Sequence, residues 1–244
     1  MRESLKALVR GLGCWISYPP PGKVTGVDFI GDLRRIIKNP QTLLDVGANR
    51  GQSVQQYATV WPAIQVSCVE PDQDSFGELV KLNHPSMVAS CNVAFGLEEG
   101  TETLLKYDTH TLNSMLEFCG DDETRLGSQK IIGKQQIRVV RPTQANLFNL
   151  LNHSKFDVLK SDTQGFDLNV LRGFEKEFFD SCQIIIVELN FDSVYNGQAS
   201  ATEVIEFCHS LGYRMVGIYE IHRRSDNGIG WGTGVFVKGA PVLA

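Results

Sequence analysis

Residues 42–51 of this chain read TLLDVGANRG, an apolar run that ends in an aspartate followed by two glycines. The segment from Thr42 to Val46 has the length and the apolar content of a buried strand. Glycines directly after a strand let the backbone turn sharply and approach a ligand closely. A helical pattern resumes from Ser53 to Trp61. The stretch therefore predicts a strand, a tight turn and a helix whose first N–H groups are free to bind a ligand.

The same alternation continues along the chain at a spacing of about 25 residues, which predicts right-handed β-α-β units. Beyond the first unit we predict strands at Ile64–Val69, Met87–Val93, Phe156–Ser161, Ile184–Leu189, Tyr213–Tyr219 and Gly234–Lys238, and helices at Asp72–Leu82, Asp167–Phe179 and Thr202–Leu211. The last two strands, joined by a polar loop, fit an antiparallel hairpin. The predicted fold class is α/β, with a doubly wound, mostly parallel seven-stranded sheet that ends in this hairpin.

The bulk composition fits one globular domain. The chain has 244 residues, 42% of them hydrophobic and 21% charged, and a net charge of −5. No basic run is long enough for a nucleic-acid-binding patch, so we expect no nucleic-acid partner. No apolar stretch approaches the ~20 residues that cross a bilayer, so we expect no membrane span. The cysteines lack C-x-x-C spacing and suit a reducing compartment, which favours a cytoplasmic location.

Two segments stand apart from the regular alternation. Residues 1–39 are predicted to form an N-terminal helical appendage, with an amphipathic helix within residues 1–16, before a domain at residues 40–244. Residues 107–136 are rich in polar residues and glycine and have only short apolar runs. A long irregular segment in a compact domain is usually functional, so we predict a substrate-binding or lid insert there.

Acidic residues lie at the ends of the first two predicted strands. Asp45 comes just before the glycine turn, and Glu70 ends the second strand, where an acid accepts hydrogen bonds from both ribose hydroxyls of an adenosine cofactor. A nicotinamide enzyme would carry G-x-G-x-x-G, but this turn has only Gly47 and Gly51. A carboxylate beside the turn suits a cationic cofactor better than a pyrophosphate. This favours S-adenosylmethionine (SAM) over a dinucleotide.

A third polar cluster, residues 160–167 (KSDTQGFD), follows the strand that ends at Ser161. Carboxyl ends of strands in open α/β sheets meet at the ligand crevice, so Asp162 is expected near the glycine turn. It is a candidate to accept the proton of an attacking hydroxyl, to orient the substrate, to hold a metal or only to cap a helix. With Glu188 and Asn190 it offers a less favoured Mg²⁺ site.

Histidine gives a weaker signal. His222, in the loop between the last two predicted strands, is a second candidate base because histidine titrates near neutral pH. The other histidines, His84, His110, His153 and His209, have no metal-ligand spacing. No resident metal is therefore predicted.

Taken together, these motifs resemble the FkbM family of SAM-dependent methyltransferases. The similar segments are residues 45–51 (DVGANRG), 69–71 (VEP), 92–94 (NVA), 159–167 (LKSDTQGFD) with 170–173 (VLRG), and 187–188 (VE) with Tyr195 and residues 212–213. The resemblance spans about residues 40–238.

The resemblance implies a class I SAM-methyltransferase fold of Rossmann-like type and, most often, O-methylation of a sugar, polyketide or other secondary metabolite. The acceptor would be a small molecule or a glycan. By this likeness the cofactor-binding residues divide into four groups, namely Asp45, Gly47, Ala48, Asn49 and Gly51 at the methionine part, Glu70 and Pro71 at the ribose, Asn92 and Val93 near the adenine, and Asp162 by the transferring methyl.

The chain departs from the family pattern at two positions. Asp167 stands where the family usually has glutamate, and Thr233 stands where an aspartate often precedes the last strand. Two other functions remain open, an NAD-dependent oxidoreductase and a non-catalytic module that keeps the fold as an interaction surface. The oligomeric state and the identity of the acceptor are open as well.

Overall fold

The computed structural model describes residues 26–119, 126–127 and 129–239. The helix predicted within residues 1–16 lies outside these residues. The helices are α1 (Phe29–Ile36), α2 (Gln52–Val60), α3 (Gln73–Lys81), α4 (Gln144–Leu151), α5 (Asp167–Gly173), α6 (Lys176–Ser181) and α7 (Ala201–Ser210). The strands are β1 (Thr42–Val46), β2 (Gln65–Val69), β3 (Met87–Cys91), β4 (Ala94–Phe95), β5 (Gly100–Tyr107), β6 (Ile131–Val140), β7 (Val158–Ser161), β8 (Ile184–Asn190), β9 (Tyr213–Arg223) and β10 (Ile229–Lys238).

A seven-stranded sheet with the order β3-β2-β1-β7-β8-β10-β9 forms the centre of the molecule. Its strands are parallel except β10, which runs antiparallel to β8 and β9. This confirms the predicted fold class, including the terminal hairpin, whose strands extend further than predicted. The carboxyl ends of β1, β2, β7 and β8 share one edge with the start of β10, so one edge of the sheet collects residues from both strand directions.

Apolar side chains cover both faces of this sheet. One core cluster joins α1, α2 and α3 to one face, and the other joins α4, α5, α6 and α7 to the opposite face. Strand β8, with the sequence IIIVELN, has buried residues at successive positions, as a strand covered on both faces should. The burial of apolar surface on both faces is the main force that holds these layers together.

A second, three-stranded sheet has the order β4-β6-β5. It differs from the sequence prediction, because residues 131–136 of the predicted irregular insert belong to β6, which pairs antiparallel with β5. Exposed and half-buried residues alternate along β6 up to Gln136. A strand with so little buried apolar surface gives a weak periodic signal, which explains why the sequence did not reveal it.

The helix predicted at Asp167–Phe179 is broken into α5 and α6. A Cβ on Gly173 would lie 2.4 Å from the carbonyl oxygen of Gly96. The backbones of Gly173 and Gly96 therefore approach closely at the point where α5 ends, and α6 begins after Glu175.

The segment before β1 is fastened to the sheet domain. Arg34 on α1 donates to the carbonyl oxygens of Thr59 and Val60 at the end of α2. Buried Asp32 accepts a hydrogen bond of 3.0 Å from the Tyr219 hydroxyl on β9. The domain boundary at residue 40 and the extent of the insert stay predictions.

None of the helices in the described part of the chain is long and apolar enough to cross a membrane. Among the described residues Cys68, Cys91, Cys182 and Cys208 are buried and form no disulfide, consistent with their interpretation as small apolar residues, whereas Cys119 is exposed.

Candidate active site

A cavity of about 330 Å³ opens at the carboxyl edge of the large sheet. Its wall is formed by the β1–α2 turn with the start of α2, the ends of β2 and β7, strands β4 and β5, residues 110–115, and one residue each from β9 and β10. The ends of β1, β2 and β7 meet here because the strands are parallel and adjacent. This is where an open α/β sheet binds its ligand.

Gly47 allows the ends of β1 and β7 to touch. Its φ is +81°, and a Cβ there would lie 2.0 Å from the carbonyl oxygen of Asp162. The Asp162 N–H donates to the Val46 carbonyl at 3.0 Å. Gly51 also has positive φ, but a Cβ there would meet Leu79 and Leu82 behind the turn, so Gly51 shapes the helix start and does not line the cavity.

Asp45 lies behind the cavity wall. Its carboxylate is fully buried and accepts hydrogen bonds from Ser53 Oγ at 2.6 Å and from Lys160 Nζ at 3.1 Å. Burial alone would lower the pKa of Lys160, but the carboxylates of Asp45 and Asp162 outweigh burial and raise it above its ordinary value. Lys160 is therefore charged, and Asp45 neutralises it inside the protein.

Glu70 lines the cavity at the end of β2. Its two oxygens accept backbone hydrogen bonds of 2.7 Å, Oε2 from Asn49 and Oε1 from Asp72. Burial raises the pKa of Glu70 to about 7, although these two hydrogen bonds favour the ionised form. Each oxygen keeps a lone pair for a further donor, so Glu70 is able to accept two ligand hydroxyls.

Of the other residues predicted to bind the cofactor, some line the cavity and others lie behind its wall. Ala48 and Pro71 line the cavity, but Asn92 and Val93 do not. The Asn92 amide donates to the carbonyl oxygens of Glu70 at 2.8 Å and Pro71 at 3.0 Å, so it holds the loop that carries Glu70.

An apolar part of the wall comes from the second sheet. Ala94 and Phe95 on β4 and Leu104 on β5 line the cavity and are almost fully buried. Sequence reasoning missed Leu104, because β5 gave no recognisable pattern.

Asp162 lines the cavity at the end of β7, and its side chain is 42% exposed. Its Oδ1 accepts a hydrogen bond from Gln164 Nε2 at 2.8 Å, and Lys160 Nζ lies 3.6 Å from Oδ2. The Tyr195 hydroxyl donates to Gln164 Oε1 at 2.9 Å, and Ser114 Oγ donates to the Gln164 carbonyl at 2.8 Å. Gln164 thus links Asp162 to residues 110–115.

The other acids near β7 and β8 lie away from the wall. Asp167 is buried, accepts from Ser161 Oγ at 2.6 Å, and has its pKa raised to about 6 by burial. Burial, with Asp162 and Asp167 nearby, raises the pKa of Glu188 well above its ordinary value. Neither of these two acids nor Asn190 lines the cavity, and the described residues contain no group of three acidic, histidine or cysteine side chains arranged to hold a metal.

His222 lies on β9, and its ring stacks on Trp231 with 3.7 Å between the centroids. It does not line the cavity. Two residues close to it in the hairpin do, Glu220 on β9 and Thr233 on β10. The sequence gave no signal for Glu220.

A sequence model of the FkbM methyltransferase domain matches residues 45–215. The chain belongs to the FkbM methyltransferase family. The match begins at the Asp45 turn and includes β2, β7 and β8, so it contains Glu70 and Asp162. A comparison with curated proteins found no sequence that matches.

Solved structures of other methyltransferases share the arrangement only distantly. A methyltransferase FkbM from Methylobacillus flagellatus is 13% identical, with a TM-score of 0.48, over 81% of this chain but 43% of that protein, so this chain spans less than half of it. A 1,6-didemethyltoxoflavin-N1-methyltransferase from Burkholderia thailandensis, bound to its substrate and S-adenosylhomocysteine, is 11% identical, with a TM-score of 0.42, over 86% of this chain and 76% of that protein. A precorrin-6y C5,15-methyltransferase from Geobacter metallireducens is 9% identical, with a TM-score of 0.42, over 86% and 85% of the two chains. These likenesses are too distant to assign an activity to this chain.

Proposed function

We propose that this FkbM-family protein transfers the methyl group of SAM to a hydroxyl of a small-molecule or glycan acceptor. The observation that carries the proposal is that Glu70 and Asp162, from the ends of two strands, line one cavity beside the Gly47 turn. An acid for the ribose and an acid for the acceptor proton are the two groups that the reaction requires of the protein.

The residues present fit SAM. Glu70 has oxygen lone pairs left for two ribose hydroxyls, and Gly47 lines the cavity with backbone alone. Asn49 lines the cavity, and its buried Oδ1 has no hydrogen-bond partner among the described residues. Ala94, Phe95 and Leu104 offer an apolar surface for the base.

SAM supplies an electrophilic methyl group on a sulfonium. The protein aligns the acceptor oxygen with that methyl, and alignment of two reactants can supply roughly 7–11 kcal/mol of the barrier. A carboxylate oxygen of Asp162 would take the proton that the acceptor hydroxyl loses when its oxygen receives the methyl, while the S–CH3 bond breaks and S-adenosylhomocysteine leaves. Gln164 and Lys160 hold the Asp162 carboxylate in place for this step. His222, stacked on Trp231 outside the cavity, is not needed for it.

Charge supports a small acceptor over a polyanion. The acidic side chains of Glu70, Asp72, Asp162 and Glu220 line the cavity, and Lys160 is the one lysine among the described residues that line it. A phosphate chain would meet net negative charge there. The absence of a nucleic-acid partner and the cytoplasmic location stay predictions.

Variants of Asp162 test the proposal. We expect Asp162→Asn and Asp162→Ala to bind S-adenosylhomocysteine with an affinity close to that of the wild type, because Asp162 acts on the acceptor. Methyl transfer should fall by about 10²–10⁴-fold, the usual contribution of a general base. Isothermal titration calorimetry and transfer of radiolabelled methyl to a panel of hydroxyl acceptors provide the two measurements.

His222→Ala is the matched control and should keep its activity. Full activity of Asp162→Ala would contradict the assigned base. Binding of NADH, with no binding of S-adenosylhomocysteine, would contradict the proposed function itself.

A further inference from the structure

One part of the cavity wall, around Tyr57, holds both a cation and a carboxylate. Lys160 on β7 and Glu220 on β9 line it, together with the amide of Gln56 and the hydroxyl of Thr233. Burial raises the pKa of Tyr57 above its ordinary value, and among its charged neighbours Lys160 opposes this rise while Glu220 adds to it. Lys160, Glu220 and Tyr57 line the same cavity.

Glu220 reaches the wall through an irregularity of its strand. His222 pairs with Trp231 and Tyr219 with Thr233, so two residues of β9 face Gly232 of β10. Such a β-bulge redirects side chains and is frequent beside active sites. Glu220 has a φ of +51°, a left-handed conformation that is strained for a residue other than glycine.

The Glu220 carboxylate is only partly engaged. Its Oε2 accepts a hydrogen bond from Thr233 Oγ1 at 3.2 Å. Its Oε1 has no hydrogen bond or ion pair with any residue that the structure describes. Thr233 therefore fixes the carboxylate and leaves one oxygen for a ligand.

Lys160 also keeps bonding capacity. An ammonium has three protons, and Lys160 Nζ lies 3.1 Å from Asp45 Oδ1 and 3.6 Å from Asp162 Oδ2. Only the contact with Asp45 is within hydrogen-bond distance. The other N–H donors are available to an acceptor atom in the cavity, which Lys160 lines.

We propose that Glu220 and Lys160 form the subsite for the zwitterionic amino-acid end of SAM, in which Glu220 pairs with the ammonium and Lys160 with the carboxylate. This inference rests on the proposed function and deepens it. It replaces Asp45 as the partner of the ammonium, because Asp45 is buried behind the wall and its carboxylate is already bonded to Ser53 and Lys160. A carboxylate and an ammonium on the wall of one cavity match an α-amino acid and match an uncharged nucleoside poorly.

Two ligands that differ only in this end test the subsite. S-adenosylhomocysteine carries the amino acid, and 5′-methylthioadenosine has the same nucleoside and thioether without it. We expect Glu220→Gln to weaken the binding of S-adenosylhomocysteine about tenfold, the usual effect of losing a hydrogen bond to a charged group. The dissociation constant of 5′-methylthioadenosine should be unchanged. Calorimetric titration of the full chain measures both.

Thr233→Val removes the hydroxyl that donates to Glu220. It should weaken the binding of S-adenosylhomocysteine by less than Glu220→Gln does, and it should leave the binding of 5′-methylthioadenosine unchanged. The matched control for loss of charge is Glu206→Gln, because Glu206 is an exposed residue of α7 outside the cavity. This substitution should change neither dissociation constant.

Equal affinity of wild type and Glu220→Gln for S-adenosylhomocysteine would overturn the subsite and assign Glu220 to the acceptor. Equal weakening of both ligands would overturn it in favour of a structural role. A wild-type chain that binds neither ligand would overturn the proposed function as well.

Discussion

The ion pair between Asp45 and Lys160 lies in the interior, where removal of one partner leaves an uncompensated charge. The Asp45 carboxylate is fully buried, and the Lys160 side chain is 13% exposed. We expect Lys160→Met to lower the free energy of unfolding by about 3–5 kcal/mol. The double variant Asp45→Asn/Lys160→Met should recover most of that loss, because no lone charge remains. Denaturant unfolding measures both.

Lys134→Met on exposed β6 is the control for loss of a lysine and should stay within about 0.5 kcal/mol of the wild type. A Lys160→Met variant as stable as this control would show that the buried pair contributes nothing to the fold.

Glu70 makes the binding of the nucleoside depend on pH. Its pKa is raised to about 7 by burial, so a large fraction is protonated at neutral pH in the free protein. The ionised carboxylate is the better acceptor for ribose hydroxyls. The affinity for S-adenosylhomocysteine should therefore rise as the pH increases through about 7 and level off above it. Calorimetric titrations between about pH 6 and about pH 8 measure this.

Glu70→Gln removes the titrating group, and its affinity should be lower at high pH and nearly independent of pH. A wild-type affinity that falls as the pH rises would contradict the assignment of Glu70 to the ribose.

At the scale of elements, the proposed function assigns the apolar side chains of the second sheet to the base of the cofactor. Leu104 on β5 lines the cavity, whereas Ile137 on β6 packs in the same small cluster without reaching it. We expect Leu104→Ala and Ile137→Ala each to destabilise the protein by about 2–5 kcal/mol. Only Leu104→Ala should also lower the affinity for 5′-methylthioadenosine and for S-adenosylhomocysteine, by about tenfold each, because both ligands carry the base.

Thermal unfolding and ligand titration separate the two effects. If Ile137→Ala loses as much ligand affinity as Leu104→Ala, the second sheet supports the cavity only through its stability.

The elements that the sequence predicted well are those with strong buried patterns. β1, β2, β7 and β8 are short and apolar, and a chain that alternates them with helices has few ways to fold. Strand β6 was missed because Ile131 and Ile132 are exposed and lie among polar residues. The break after Gly173 depends on contact with Gly96, which is distant in sequence, so local periodicity carries no sign of it.

Across the whole molecule, some site residues were predictable from the sequence because they need only the direction of the strands, whereas others depend on the order of the strands in the sheet. Parallel strands end at one edge, which places Glu70 and Asp162 together without knowledge of their neighbours. The pairing of Asp45 with Lys160 requires that β1 lie next to β7 in the observed register. That arrangement joins residues 115 positions apart. Glu220 depends on a bulge in the last hairpin, which has no local sequence signature.

The backbone of Glu220 sets a cost in stability against the ligand binding proposed for its carboxylate. Glycine adopts a positive φ without steric cost, so Glu220→Gly would relieve the strain and remove the carboxylate. Directed evolution for heat tolerance, without a requirement for turnover, should therefore replace this residue early.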